Sequence, residues 1–216
     1  MATKEPRYIR IRSRSQKSRI LLRTPLLSDV PSFTARGNDY ECIKYLPFLL
    51  NPKNPITNES NTKNAKKWRA GSGIGGYFLV VVELPEDRSK ANQADATIGD
   101  TGLIPINWEE KSAECGMMLN SGPTIRGKGY AVEAFDMQFA FGYDHLGLKK
   151  IHFGTGDDNI PMRALLEKKL GIPGTFREKE GDWEFVTTKA WWEERQKLAG
   201  EDRVEVYVEE MTPDEE

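Results

Sequence analysis

Long hydrophobic runs, cysteine and histidine are all scarce in this 216-residue sequence. The longest uninterrupted apolar run covers residues 77–82, far short of the ~18 residues that a membrane-spanning helix needs. Only two cysteines are present, Cys42 and Cys115, and their wide separation argues against a disulfide framework and for a reducing compartment. Neither His145 nor His152 has cysteine or histidine neighbours at metal-ligand spacing, so the sequence predicts no metal site.

An excess of one charge is also lacking, because the net charge is −2 and the pI is near 5.9. This balance argues against a nucleic-acid-binding protein. The charge is nevertheless unevenly distributed: residues 1–23 carry eight bases and one acid, and residues 193–216 carry ten acids and three bases. Two solvated termini that attract each other are one interpretation, and a tail that binds an anionic partner is the other.

The N-terminal residues bear on localisation. They lack the apolar core of a secretory signal, although their Arg- and Ser-rich composition leaves a mitochondrial presequence open. Together with the low cysteine content, this favours a cytoplasmic protein.

Hydrophobic periodicity predicts a single α/β (α+β) domain without internal repeats. Strands are predicted at residues 20–23, 77–83, 97–107, 113–119, 149–155, 183–188 and 204–208, with 20–23 as the first strand of the fold. Helices are predicted within residues 32–50, 63–69, 130–146, 162–170 and 191–198, and a polar hairpin-like connection at 84–95. Short connections predict antiparallel pairing, whereas the passage from 113 to 155 predicts a parallel crossover. We expect a mixed, mostly antiparallel central sheet with helices on both faces.

The most informative segment is a loop that joins a predicted strand to the long predicted helix. The strand reads AECGMML and the loop reads NSGPTIRGKGYA, ending at residue 131. Backbone N–H groups converge at such a helix N-terminus, which carries about half a positive charge. Gly127 and Gly129 would let the backbone approach a ligand, and Arg126 and Lys128 add positive charge. The loop therefore predicts an anion site, although a tight turn with two exposed bases has the same composition.

One phosphate-loop family fits this segment only in part. Residues 122–128 match the first seven places of a Walker A loop, but the eighth must be Ser or Thr to hold Mg²⁺ and is Gly129 here. No convincing apolar strand that ends in a metal-binding Asp follows. These departures argue against a nucleotide triphosphatase.

The loop resembles the acyl-CoA loop of the GNAT superfamily of N-acetyltransferases, whose pattern is Q/R-x-x-G-x-G/A. Gly127, Lys128 and Gly129 match its last three places, while Thr124 stands where Gln or Arg is usual. The wider run R-G-K-G-Y-A-V-E-A at 126–134 resembles the branch that contains the ribosomal-protein alanine/serine N-acetyltransferases.

Other features resemble this family in the same order along residues 19–195. They include the Glu114-Cys-Gly116 strand and Asn159 with the leucine-rich segment after it, although Met162 stands where the family often has Ser. The resemblance implies a basic N-terminal extension (1–18), a GNAT domain (19–199) and an acidic C-terminal tail (200–216).

The activity implied by the resemblance is transfer of an acetyl group from acetyl-CoA, without a metal, to a primary amine. The acceptor is a small molecule or a protein N-terminus, and the protein is a monomer or homodimer that needs no membrane or nucleic acid. The implied cofactor-binding residues are Met117, Met118, Leu119, Arg126, Gly127, Lys128, Gly129, Tyr130, Ala131 and Asn159.

The implied catalytic residues are Glu114, as a base that removes a proton from the amine, and Asn159. Strand alternation puts Glu114 on the same face as Met118. Alternative roles stay open: Glu114 as a structural carboxylate, Asn159 as a helix N-cap, Asp100 or Asp157 as the base, or a water chain in place of any carboxylate. Glu133 also matches the family, and we interpret it as a buried structural partner.

The acceptor is expected to bind among residues 28–70, where the family builds its substrate pocket. Carboxylates and aromatic rings there suit a cationic amine, and the candidates are Asp29, Asp39, Tyr40, Glu41, Tyr45 and Trp68. A module that binds CoA without turnover and acts through its charged termini is the alternative, which the departures at Thr124 and Met162 keep open.

Overall fold

The computed structural model describes residues 3–50, 53, 56–86 and 96–212. Nine strands in this part of the chain form one sheet in the order β7-β8-β6-β5-β4-β3-β2-β1-β9. The strands are β1 (Ile9–Ser13), β2 (Ile20–Arg23), β3 (Tyr77–Glu83), β4 (Ala96–Asn107), β5 (Ser112–Leu119), β6 (Lys150–Gly156), β7 (Gly174–Arg177), β8 (Asp182–Thr188) and β9 (Val206–Glu210). Among the pairs in this sheet, β5 and β6 are parallel and the others are antiparallel.

The helices cover both faces of the sheet. They are α1 (Val30–Gly37), α2 (Tyr40–Ile43), α3 (Asn58–Gly71), α4 (Tyr130–Ala140), α5 (Ile160–Ala164) and α6 (Lys189–Ala199), and α4 and α5 each continue into a π-helical turn. One face packs on α1 and α3 through Phe33, Ala65 and Val80. The other face packs on α4 and α6 through Phe135 and Trp192. The expected mixed, mostly antiparallel sheet with helices on both faces is confirmed.

Local sequence explains where the main elements begin. β3 is a β-branched and aromatic run, and such residues favour strands. Helix α3 begins after Thr57, whose hydroxyl accepts from the Ser60 N–H at 3.1 Å. Helix α4 begins after Gly129, which lies in the left-handed region at φ 87° that glycine reaches without strain.

The sequence predictions differ from the structure at several elements. The helix predicted within residues 32–50 is two helices, α1 and α2, and residues 44–50 are not helical because Pro47 and the turns around it interrupt the pattern. Residues 20–23 form the second strand rather than the first, because β1 precedes them, and the short strand β7 was also missed. Helix α3 is longer than the predicted 63–69, since its cap lies six positions earlier in the chain at Thr57. Most of the predicted connection at 84–95 lies outside the described residues.

The two charged ends of the chain meet at one edge of the sheet. β1 pairs with β9, and ion pairs join Arg7 to Glu210 at 2.7 Å and Arg12 to Glu209 at 3.3 Å. Ile9 and Ile11 point into the core. Parts of the predicted extension and tail are therefore strands of the sheet, while the domain boundaries at 18/19 and 199/200 stay predictions.

Candidate active site

The parallel pair β5–β6 opens part of the way along its length. The two strands pair at three positions, ending where Glu114 lies opposite His152, yet β5 continues to Leu119 and β6 to Gly156. Beyond Glu114, the described sheet pairs β5 on one side only, with β4. The strands therefore diverge and leave an edge of main-chain groups on β5 that an extended ligand could pair with.

Ladder geometry tells which main-chain groups face this opening. The Asn120 N–H donates to the Ile98 carbonyl at 2.9 Å. In an antiparallel pair every second residue forms main-chain hydrogen bonds with the neighbouring strand, so Met118 and Gly116 also form theirs with β4. The main-chain groups of Met117 and Leu119 consequently point towards the opening, whereas those of Met118 point towards β4. Two of the three predicted residues of this strand thus present their backbone to the gap.

The predicted phosphate loop lies at the open end of β5. Gly127 and Gly129 both have positive φ, at 75° and 87°, so their conformations suit glycine. A Cβ atom on Gly127 would meet nothing within 4 Å, which shows that the space beside the loop is open. The N–H groups of Tyr130 and Ala131 start α4 and have no acceptor within the helix, so they are available to an anion.

An arginine and a glutamate hold this loop in place. Arg19 donates to the Lys128 carbonyl at 2.8 Å and to the Glu133 carboxylate at 3.0 Å and 3.2 Å. Glu133 also accepts from the Ser18 hydroxyl and the Arg19 N–H. Its carboxylate is therefore used structurally, as the sequence analysis interpreted it. Tyr130 adds a hydrogen bond from its hydroxyl to Glu83.

Of the two bases in the loop, one is engaged with a neighbouring helix. The Arg126 guanidinium donates to the Glu41 carbonyl at 2.7 Å, which ties the loop to α2. Lys128 is exposed. Their predicted contacts with a pyrophosphate stay predictions.

The two predicted catalytic residues lie on the two diverging strands or just after them. Glu114 is exposed at the last paired position of β5. Asn159 follows β6 and caps α5, because its Oδ1 accepts from the Met162 N–H at 3.3 Å while its Nδ2 donates to the Thr155 hydroxyl at 2.9 Å. The N-cap role of Asn159 is therefore present, and its role towards a cofactor stays a prediction.

A cavity of about 460 Å³ adjoins the other side of β5, within the size range of small-ligand sites. Met117 and Met118 form its wall at β5, and α1, α3 and β3 provide most of the remainder. Trp68 stacks on Phe78 with ring centroids 3.9 Å apart, and Phe33 packs edge-on against both. The cavity therefore has an aromatic wall facing the strand that borders the opening.

A buried ion pair lies at the base of this cavity. Arg36 Nε donates to Asp100 Oδ2 at 3.0 Å, and its Nη1 donates to Asn120 Oδ1 at 2.8 Å. Burial raises the pKa of Asp100, and the Arg36 guanidinium opposes that rise. The pair ties α1 to β4 and to the end of β5. Sequence reasoning named Asp100 as an alternative base but missed Arg36, because 64 positions separate them.

A second polar cluster ties α2 to the start of the loop. Asp39 accepts from the Ser121 hydroxyl, which is the main reason that its pKa lies below the ordinary value. The Cys42 thiol lies 3.4 Å from both the Asp39 carboxylate and the Leu119 carbonyl. Two effects raise the pKa of Cys42: burial is the larger, and the hydrogen bond to Asp39 is the next. Cys42 therefore acts as a neutral thiol donor.

Other candidate groups are engaged elsewhere. Asp157 accepts from Arg163 and from the Trp183 ring N–H, at 2.9 Å and 2.8 Å. Burial raises the pKa of Cys115, which makes it a core thiol rather than a nucleophile. The described residues contain no group of three or more metal-binding side chains, and none of their helices has the length and apolarity needed to cross a bilayer.

Among the six residues expected to bind the acceptor, the structure places only Trp68 in the cavity wall. Asp29 is buried and forms two hydrogen bonds with Arg23, at 2.7 Å and 2.8 Å. Glu41 pairs with Lys44 at 2.8 Å. Asp29, Asp39 and Glu41 thus each have a partner within the protein, and their role towards an acceptor stays a prediction.

Known proteins resemble this chain in sequence. A sequence profile of the acetyltransferase (GNAT) domain matches residues 19–171. The human alpha/beta-tubulin-N-acetyltransferase 9 is 23% identical over 119 residues, which cover 55% of this chain and 58% of that protein. The uncharacterized N-acetyltransferase p20 of Bacillus licheniformis is 25% identical over 170 residues, covering 76% of this chain and 86% of that protein. This chain thus spans little more than half the length of the human relative.

Solved structures share the fold. An acetyltransferase of the GNAT family from Bacillus anthracis matches with a TM-score of 0.63 at 19% identity, covering 84% of this chain and 99% of that one. Spermidine N-acetyltransferase from Vibrio cholerae, in complex with CoA and spermine, matches with a TM-score of 0.62 at 18% identity, covering 81% and 98%. The match of the profile to most of the chain, on a sheet that opens beside a glycine loop, shows that the protein belongs to the GNAT acetyltransferase family.

Proposed function

We propose that this protein is an N-acetyltransferase that moves an acetyl group from acetyl-CoA to a primary amine by direct attack. The observation that carries the proposal is the position of the edge of β5 that faces the opening between β5 and β6. That edge lies between a glycine loop suited to phosphates and a cavity suited to an acceptor. A donor and an acceptor bound on its two sides would meet at Met117.

The described residues fit acetyl-CoA, which supplies an acetyl thioester when bound. The backbone of residues 126–131 would hold the pyrophosphate, because the space beside Gly127 is open and the first N–H groups of α4 are available. The main-chain groups of Met117 and the N–H of Leu119 would pair with the amides of the pantetheine arm, while the Leu119 carbonyl accepts from the Cys42 thiol. Asn159 would approach that arm from the end of β6.

The chain's own groups would then carry out three tasks. A backbone N–H on β5 would stabilise the negative charge that develops on the thioester oxygen, because a fixed donor needs no reorganisation. Glu114 would remove a proton from the acceptor, since only a neutral amine attacks. The cavity would exclude water around the acceptor.

Several finer assignments belong to this proposal. The acceptor is a small-molecule amine or a peptide N-terminus, and membership of the ribosomal-protein alanine/serine branch stays a prediction. Cys42 and Cys115 are free thiols, which supports the predicted cytoplasmic location. Many terminal charges pair with each other, so we favour an enzyme over a module that acts through its termini.

Thermal unfolding with and without acetyl-CoA tests donor binding. Ligand at 100 times its dissociation constant adds about 2.7 kcal/mol to the free energy of unfolding, so the unfolding midpoint should rise clearly. The double variant Gly127→Glu/Gly129→Glu should abolish this rise, because it places two carboxylates where phosphates would bind.

The matched control is Gly147→Glu/Gly181→Glu. These glycines also have positive φ and open space at Cβ, so the variant carries similar backbone strain and the same added charge away from the loop. It should keep the rise. No rise in the wild-type protein at millimolar acetyl-CoA, and no release of CoA with any amine, would refute the proposed activity.

A further inference from the structure

The acceptor cavity is almost free of charge. Among its described lining residues, Asp100 is the only ionisable one. Arg36 already pairs with Asp100, and the Arg36 side chain is fully buried. The polar amides in the lining are engaged as well: Asn61 donates to the Thr34 hydroxyl at 3.1 Å and Asn64 donates to Asn61 at 3.4 Å. Among the described lining residues, a second cation would therefore find no carboxylate other than the one already paired with Arg36.

Apolar surface dominates the remaining wall. The aromatic group of Phe33, Trp68 and Phe78 faces Met117 and Met118, and methionine adapts to ligands of irregular shape. Phe48 lies at the rim of the cavity and is 72% exposed. Exposing an aromatic side chain to water costs free energy, and exposed apolar surface beside a cavity is typical of a binding site. The cavity therefore favours an apolar body, and its volume of about 460 Å³ has room for an aromatic ring.

We propose that the acceptor is a primary amine carried on an apolar group, and that polyamines are poor substrates. The proposal rests on the acetyl-transfer function given above. The apolar group would fill the cavity, and the amine would lie beside β5 at Met117 and Met118. Such a body occurs in arylalkylamines and in peptides with a large apolar first residue, and the two sources are distinguished by the test.

The same environment favours the reactive form of the amine. Removing an ammonium group from water without a partner favours its neutral form. One cation can lose its proton in this way and react. Each additional ammonium group of a polyamine that enters the cavity must either be buried as a cation or lose its proton, and both cost free energy.

The first test compares kcat/KM at saturating acetyl-CoA for 2-phenylethylamine and putrescine. A parallel pair of peptides differs only in the first residue, Phe or Lys. In whichever pair is turned over, we expect kcat/KM for the apolar member to exceed that for the cationic member at least tenfold, which is roughly the discrimination that apolar fit in a cavity provides. The pair that is turned over identifies the source. Equal or better turnover of putrescine and of the Lys peptide would overturn the proposal.

Charge substitutions give an independent test. Asn64→Asp adds a carboxylate to the lining and should reduce the preference at least threefold by improving turnover of the cationic member. Asn58→Asp adds the same charge to the exposed first turn of α3, outside the cavity, and should leave the preference unchanged. Equal effects of the two variants would overturn the proposal.

A rim substitution separates the acceptor from the donor. Phe48→Ala should lower kcat/KM for the apolar amine several-fold and leave the KM for acetyl-CoA unchanged, whereas Leu198→Ala, at a 79% exposed position on α6, should change neither. A faster reaction with hexanoyl-CoA that Phe48→Ala removes would assign the cavity to the acyl chain and overturn the proposal. A different result would refute the proposed acetyl-transfer function itself: no amine causes release of CoA from acetyl-CoA, and acetyl-CoA does not raise the unfolding midpoint.

Discussion

Arginine–carboxylate pairs occur in two contrasting settings in this molecule. Arg36 and Asp100 meet beneath the cavity beside β5, with 0% and 11% of their side chains exposed. Arg7 and Glu210 meet at the far edge of the sheet, with 44% and 73% exposed. Burial makes the first pair costly to break and fixes the position of α1, whereas water and salt screen the second. The same chemistry therefore positions the site in one region and guides strand pairing in the other.

The largest effect is expected from Asp100→Asn. This variant leaves the buried Arg36 guanidinium without its counter-charge, and arginine cannot lose its proton, so the free energy of unfolding should fall by about 3–5 kcal/mol. Urea unfolding measures the loss. Arg36→Met should cost less, because Asp100 can take up a proton and burial already raises its pKa. A loss below about 1 kcal/mol for Asp100→Asn would remove the contrast between the two settings.

A smaller loss is expected from Glu133→Gln. The Glu133 side chain is 19% exposed and accepts from Ser18 and Arg19, so the substitution should cost about 1–2 kcal/mol. Because Arg19 also holds the Lys128 carbonyl, affinity for acetyl-CoA should fall as well. Calorimetric titration checks this, and a loss of stability without a loss of affinity would show that Arg19 does not position the loop.

Glu209→Gln should cost less than about 1 kcal/mol, since the Glu209 side chain that pairs with Arg10 and Arg12 is 41% exposed. The difference from the wild-type protein should vanish in 1 M NaCl, where charges are screened within about 3 Å. A difference that persists at high salt would place this pair in the same class as Arg36–Asp100.

The smallest effect is expected at Asp39, which lies at the site but in contact with solvent. Ser121→Ala removes the main cause of its low pKa, so the Asp39 pKa should rise towards the ordinary value in an NMR titration. A carboxylate with a depressed pKa in the folded state stabilises the protein above its unfolded pKa, and that stability disappears as the pH falls through the folded value. The wild-type and variant proteins should therefore differ in stability near neutral pH and converge in acid.

Local signals predict much of the fold. The apolar run of β3, the glycine loop and the long helix after Gly129 all follow from nearby residues, and so does the parallel crossover. Strand β1 was missed although Ile9 and Ile11 alternate with arginines, because the basic composition of the segment suggested a solvated extension. Strand β7 has one large apolar residue, Phe176, among its four, whereas the equally short β2 is marked by the run Ile-Leu-Leu.

The candidate site was less predictable than the fold. The loop glycines carry their own conformational signal, but the cavity draws its wall from α1, α3, β3 and β5, which only tertiary packing brings together. The expected acceptor carboxylates illustrate the difficulty. Composition alone does not show that Asp29 pairs with Arg23 in the interior rather than facing a ligand.

The pairing of β1 with β9 has a consequence for synthesis on the ribosome. Arg7 and Glu210 are 203 residues apart, so the outer edge of β1 has no partner for roughly 10–40 seconds of translation. An open strand edge invites pairing with other chains, and positive charges discourage it. The positive charges of Arg10 and Arg12 discourage such pairing until β9 has been synthesised. Glu209 then forms ion pairs with both arginines, so the same charges that repelled other chains stabilise the pairing of β1 with β9.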